Sequence, residues 1–378
     1  MKIEQCKWTP EKTWETLRSD LKDAEHYQLV IVFGSRILLS STGFYQEIRN
    51  KYPKADILMN STSGEIFDTQ VNDDTISLTA ICFEKTKFIT HGLQFSDYKD
   101  SKLAGIEIAK KFDHNQLTSI LIISDGQQVN GSDLVSGLQQ ELPKEIVITG
   151  GLAGDGNRFQ KTLVGLNEQP GEGQIIAVGF YGSHLKVSHG SMGGWDAFGP
   201  ERLITKSTAN VLFELDGQPA LSIYKKYLGE FSDELPGSAL LFPLSVKLSE
   251  NDEPVVRTIL SINEDEQSLT FAGNVPTGKY TRLMKANFDR LIEGASNAAT
   301  HSIQTFQKPD LAILISCVGR KLVLNQRIEE EVEAIRDILG TTTAITGFYS
   351  YGEISPNQGF NSCELHNQTM TITTMSER

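Results

Sequence analysis

Short, unbroken apolar runs that end near a glycine recur along this chain. QLVIVFGS (28–35), SILIISDG (119–126) and DLAILISCVGR (310–320) are the clearest. Each is followed by a second apolar run that ends in a glycine-carboxylate turn: ADILMNSTSGEI (55–66), EIVITGGLAGDG (145–156) and TTAITGFYSYGEI (342–354). The second copy has helical patterning between its runs over roughly 132–141. The third has it over 325–339, around the charge run EEEVE, and the first has a polar stretch near Tyr45 to Tyr52. Gly34 to Gly64, Gly126 to Gly154 and Gly319 to Gly352 are each about thirty residues apart, the size of a βαβ unit. Continuous apolar runs bounded by turns mark strands covered on both faces. Strand–helix–strand order implies a right-handed parallel crossover. The expected fold is therefore α/β, with mixed sheets built on repeated strand–helix–strand units.

Antiparallel patterning lies between the copies. TISLTAICFE (75–84) with KFITHGLQF (87–95), and QIIAVGFYG (174–182) with LKVSHGSM (185–192), read as hairpins across two-residue polar turns. A third pair, within 255–276, turns at NEDEQ. The connector DGQP before ALSIYKKYLG (220–229) suggests a boundary, dividing the chain into domains at 25–217 and 218–376.

Composition narrows the partners. The 378 residues carry a net charge of −13, without a dense Lys/Arg stripe, which argues against nucleic acid and anionic membranes. No apolar run is long enough to span a bilayer. The start, MKIEQCKWTPEKTWETL, lacks the apolar core of a signal peptide, so a cytoplasmic location is expected. Cys6, Cys82, Cys317 and Cys363 form no CxxC pair, and reduced, mostly buried thiols are expected.

The three turns, Gly64-Glu65, Gly154-Asp155 and Gly352-Glu353, are the best candidates for a site. Ligands of open α/β sheets bind beyond the carboxyl ends of strands. Glycines there let backbone amides approach a ligand, and the carboxylates offer a partner to an amine. Each turn is equally readable as a plain turn with a capping carboxylate. GGLAGDG lacks the Lys-Ser/Thr of a phosphate loop and does not open a helix. There is no GxSxG elbow. The seven histidines form no HxxxH or HxH pair. His189, among glycines and near Trp195 and Phe198, is the best placed for a planar ligand, and His366 adjoins Asn367, Gln368 and Thr369.

ISCVGR (315–320), ITGFYSYGEISP (345–356) and LHNQTMTITTM (365–375) closely resemble the FIST C-terminal domain. So do ALSIYKKYLG, FPLSV (242–246), VVRTIL (255–260) and NVPTGKYTRLM (274–284). NSTSGEI, the IISDG strand end, GGLAGDG and GWDAFGPERLITKS resemble the FIST N-terminal domain. The resemblance implies a sensory protein that binds a small ligand such as an amino acid, and it spans nearly the whole chain. The length leaves no room for a fused output domain, so the implied target is a partner protein such as a histidine kinase or a cyclic-di-nucleotide signalling protein. One subset of the family consists of nitric-oxide-sensing haemoproteins, which would make haem the cofactor; His189, from its own surroundings, is the candidate axial ligand.

On this resemblance Arg320, Tyr349, Tyr351, Glu353, His366 and Asn367 are the candidate ligand residues, beside Glu65 and Asp155. Arg320 is suited to clamp a carboxylate or a haem propionate, and Glu353 to pair with an ammonium group. The same residues also suit a structural corner that ties strand ends together. No catalytic motif is present and no enzyme is expected. A hydrolase or lyase using Glu353 or Glu65 with His366 is the competing reading.

Overall fold

The computed structural model describes residues 1–247, 254–357 and 362–378. The three copies fold as three units of one design. Unit 1 holds β1 (Lys2–Thr9), β2 (Leu29–Ser35), α1 (Thr42–Lys51), β3 (Asp56–Thr62), β4 (Glu65–Phe67) and β5 (Ile76–Cys82). Unit 2 holds β6 (Lys87–Gln94), α2 (Ser101–Lys110), β7 (Leu117–Ser124), α3 (Gly131–Glu141), β8 (Val147–Leu152), β9 (Val164–Leu166) and β10 (Gln174–Tyr181). Unit 3 opens with β11 (Leu185–Met192). It resumes after an insertion with α4 (Phe288–Ser302), β12 (Leu311–Cys317), α5 (Val318–Leu324), α6 (Ile328–Leu339), β13 (Ala344–Ser350), β14 (Gly352–Pro356), β15 (Cys363–His366) and β16 (Met370–Glu377).

The paired apolar runs form the parallel pairs β2/β3, β7/β8 and β12/β13. Each pair lies at the centre of a sheet. The last strand of the unit joins it antiparallel, and the leading strand joins that one, giving β1–β5–β2–β3, β6–β10–β7–β8 and β11–β16–β12–β13. The strand near each glycine-carboxylate turn then leaves its own unit. β4 pairs with β13, β14 with β8, and β9 with β3. Unit 1 thus donates a strand to unit 3, unit 3 to unit 2, and unit 2 to unit 1, which closes a three-way ring.

This arrangement explains the continuous apolar runs. One face of each sheet turns to a shared core that includes Phe33 and Leu58 of unit 1, Ile123 and Val178 of unit 2, and Ile313 and Phe348 of unit 3. The other face packs against that unit's helices. In unit 2 the helices α2 and α3 approach closely through reciprocal glycines. A Cβ on Gly105 would lie 3.0 Å from Leu138 N, and one on Gly137 would lie 3.0 Å from Ile106 N.

Two expected hairpins are instead crossings between sheets. β5 pairs with β1 and β2 in the first sheet, whereas β6 pairs with β10 in the second. β10 likewise stays in the second sheet while β11 joins the third. The two-residue polar turns therefore link units rather than paired strands. The third expected hairpin forms, with Ile259–Asn263 paired to Ser268–Phe271.

The insertion spans 195–286 and builds an eight-stranded sheet around its own core, including Ile204, Leu221, Phe271 and Leu283. The 217/218 junction lies inside this sheet, where Leu215 pairs with Gln218. The sheets of units 2 and 3 draw strands from both sides of that junction, whereas the sheet of unit 1 lies wholly before it. No helix among the described residues is long and apolar enough to cross a membrane.

Candidate ligand-binding site

Strand exchange brings the three glycine-carboxylate turns to one axis, where backbone hydrogen bonds link them in a cycle. Ser63 N donates to Tyr349 O at 2.8 Å, Tyr351 N to Leu152 O at 3.2 Å, and Gly154 N to Ser61 O at 3.0 Å. Ser61 Oγ also donates to Gly154 O at 2.8 Å, and Ser63 Oγ to Gly156 O at 3.1 Å. Gly154 is required by this closeness, since a Cβ there would lie 2.8 Å from Ser63 N and 3.1 Å from Tyr349 O.

The carboxylates of the turns are buried and serve the ring itself. Glu65 accepts from Thr62 Oγ1, from Thr75 N at 3.1 Å and from Thr75 Oγ1 at 2.7 Å. Glu353 repeats the pattern with Ser350 Oγ at 2.6 Å, Thr369 N at 3.3 Å and Thr369 Oγ1 at 3.0 Å. Burial pushes the Glu65 carboxyl up to about 7 and the Glu353 carboxyl up to about 8, although these hydrogen bonds favour the charged form. Asp155 differs in taking cations, with Arg36 Nε 2.8 Å and Arg158 Nη1 3.1 Å from Oδ1. Lys161 N also donates to it, at 3.3 Å.

Arg320 and Tyr349 form an internal corner. Arg320 is fully buried, and its guanidinium binds Glu331 Oε2 at 2.7 Å, Gly193 O at 2.7 Å and Leu291 O at 2.8 Å. Tyr349 OH donates to Glu331 Oε1 at 2.8 Å. The expected carboxylate clamp is thus closed on an internal carboxylate. Tyr351 stacks on Phe159, with ring centroids 4.6 Å apart and planes 14° apart. His366 and Glu353 are cross-strand neighbours in β15 and β14, but His366 Nε2 lies 3.1 Å from Ser355 O while Glu353 serves Ser350 and Thr369. Burial draws the His366 imidazole down to about 4. Asn367 and Gln368 are fully buried, and none of their four amide atoms has a hydrogen-bond partner. Such atoms mark places where native proteins hold a polar guest or a buried water.

His189 borders a cleft of about 480 Å³ together with Gln139, Lys144, Ile148 and Cys363. The aromatic rings expected beside it lie elsewhere. Trp195 packs with Leu291 and Val323 and donates to Gln368 O at 2.9 Å. Phe198 packs against Tyr227 and Phe242 inside the insertion. The residues around His189 therefore do not make the aromatic sandwich expected for haem. Among the described residues, no three His, Cys, Asp or Glu side chains group as a metal site.

The ring opens instead on a polar cleft of about 630 Å³ at the junction of units 1 and 3. Ser63, Gly64 and Glu65 form one side of it, and Val318, Lys321 and Leu322 of α5 the other. Lys321 Nζ donates to Ser63 O at 2.9 Å, pairs with Asp73 and lies over the Tyr349 ring. Asp74 lies beside Asp73, and Arg158 adds a second cation from unit 2. The cleft thus carries both signs of charge beside the buried turn Ser63–Glu65. Sequence reasoning singled out Glu65 alone among these charged groups. The signals for the others were the Asp-Asp pair just before β5 and the lysine one turn after β12.

Comparisons with known proteins bear on the family. The sequence model of the FIST N domain matches residues 28–218, and that of the FIST C domain matches residues 220–356. The chain belongs to the FIST family. FIST domains are associated with small-ligand sensing in signalling proteins. An uncharacterized protein of Methanocaldococcus jannaschii, MJ1623, is 25% identical over 206 residues, covering 50% of this chain and 39% of that protein. The chain therefore spans well under half the length of this curated relative. Among solved structures, a cyanuric acid hydrolase from A. caulinodans aligns over 78% of this chain and 99% of its own, at 9% identity and a TM-score of 0.18.

Proposed function

We propose that this FIST protein is a cytoplasmic sensor that binds a small zwitterionic metabolite, such as an amino acid, without turning it over, and thereby controls a partner signalling protein. A histidine kinase or a cyclic-di-nucleotide enzyme is the proposed target. The observation that carries the reading is the cleft at the ring of turns. Its lining includes Lys321, paired with Asp73, together with Asp74 and Arg158, next to the backbone of Ser63 and Gly64. A cation pair suits an α-carboxylate and an acidic pair suits an ammonium group. Binding a zwitterion there exchanges the Lys321–Asp73 pair for two ligand contacts. That exchange offers a way to move α5 relative to the unit 1 turn. Binding without turnover is favoured because Glu65, Glu353 and His366 are committed to internal partners.

Calorimetric titration with each of the twenty amino acids tests the reading. At least one should bind, and Lys321→Met should weaken it by tenfold or more, about 1.4 kcal/mol. No binding by any of them, or a Soret band retained by the purified protein, would count against it.

A further inference from the structure

The junction that forms the charged cleft occurs a second time in the ring. Backbone bonds fix the equivalence of the units. Ser35 N donates to Thr75 O at 3.1 Å, Asp125 N to Gln174 O at 2.8 Å and Cys317 N to Thr369 O at 3.1 Å. The glycines of the turns complete the match, so Tyr351 stands where unit 1 has Ser63, and Gly126–Asn130 stand where unit 3 has Val318–Leu322. Between these elements lies a second cleft, of about 240 Å³.

Its chemistry is unlike that of the first. The stacked rings of Tyr351 and Phe159 line one part of it, and Gln127 and Asn130 another. Leu260 and Phe271 of the inserted sheet close it from the opposite side. Among the described residues, no Lys, Arg, Asp or Glu lines it. Aromatic walls favour a flat partner, and amide side chains supply donors and acceptors without charge. The volume is below the 300–1,000 Å³ typical of drug-sized ligands, a scale that suits a single ring.

The inserted sheet is held over this cleft by polar ties at its margin. Asn130 Nδ2 donates to Asn274 Oδ1 at 3.1 Å, and Asn274 Nδ2 to Asp133 Oδ1 at 2.9 Å. The buried Arg257 donates from Nη1 to Leu365 O at 2.6 Å. A molecule in the cleft would therefore touch both the three-unit core and the insertion.

We infer that this second cleft is a binding site for a small, neutral, planar ring with an amide-like hydrogen-bonding edge, held between the core and the inserted sheet. It is separate from the charged cleft and does not depend on the sensing role assigned to that cleft.

Ligand-observed saturation-transfer NMR on the full chain tests this, with benzamide, nicotinamide and uracil as probes. Leu260 is 42% exposed, so Leu260→Trp fills the mouth without entering the core, and circular dichroism checks that the variant stays folded. At least one probe should show saturation transfer that is lost in Leu260→Trp and kept in Lys321→Met. Silence from all three probes overturns the inference. So does transfer that survives Leu260→Trp, whether Lys321→Met abolishes it, which places the probe in the charged cleft, or leaves it unchanged, which marks adventitious binding.

Discussion

Glu65 and Glu353 sit at equivalent points of two turns, buried and bonded to hydroxyls in the same way. Their burial has a consequence for stability. A carboxyl whose folded pKa lies above its unfolded value near 4.5 binds its proton more tightly in the folded protein. Its contribution is whole below pH 4.5 and is lost as pH rises through 7 and 8. His366 acts in the opposite sense, because its folded value of about 4 lies below the unfolded 6.5, but most of that change is over by pH 6.5 and only a small gain remains above it. The unfolding free energy should therefore fall by about 2 kcal/mol between pH 6.5 and 8.5, and Glu353→Gln should remove most of the fall. Urea unfolding at a series of pH values measures both. Arg320 gives a second expectation at this scale. Arg320→Met leaves Glu331 buried without its cation and should cost about 3–5 kcal/mol, read from the urea midpoint. The sequence showed that these residue types cluster at strand ends. It could not show that Arg320 faces Glu331, because the pair meets only once α6 packs on its sheet.

The paired apolar runs, the three turns and the helices of the second and third copies were legible because burial on both faces leaves a continuous apolar signature. The hairpin reading of 75–95 and of 174–192 failed for a related reason. Alternation of apolar and polar residues marks a strand but does not name its partner, and here each polar turn hands the chain to the next sheet. Strand exchange was invisible for the same reason, since β4, β9 and β14 find their partners in other units. The ring of turns depends on that exchange and on Gly154. Gly154→Ala places a Cβ against backbone of two other units and should destabilise by about 1–3 kcal/mol, measurable by urea unfolding. It should also weaken any ligand of the charged cleft, because Gly156 and Arg158 lie on the same turn.

The three units are completed by one another, so the whole molecule is expected to fold as one body. A fragment of residues 1–217 would lack β14 and β15 from its second sheet and would carry β4 and β11 with no third sheet to join. Expressed alone it should aggregate, and co-expression with residues 218–378 should restore a soluble complex on size exclusion. The insertion has a core of its own, and it roofs the second cleft. The central claim concerns the first cleft, where the ring of turns is read as a ligand site. Methyl-resolved NMR of the full chain, recorded before and after addition of a mixture of the twenty amino acids, tests it most directly. Shifts should concentrate on Val71, Val318, Leu322 and Ile328, which line that cleft. Unmoved resonances at those four residues, or shifts gathered instead on Leu142, Ile146 and Ile148 beside His189, would contradict the account.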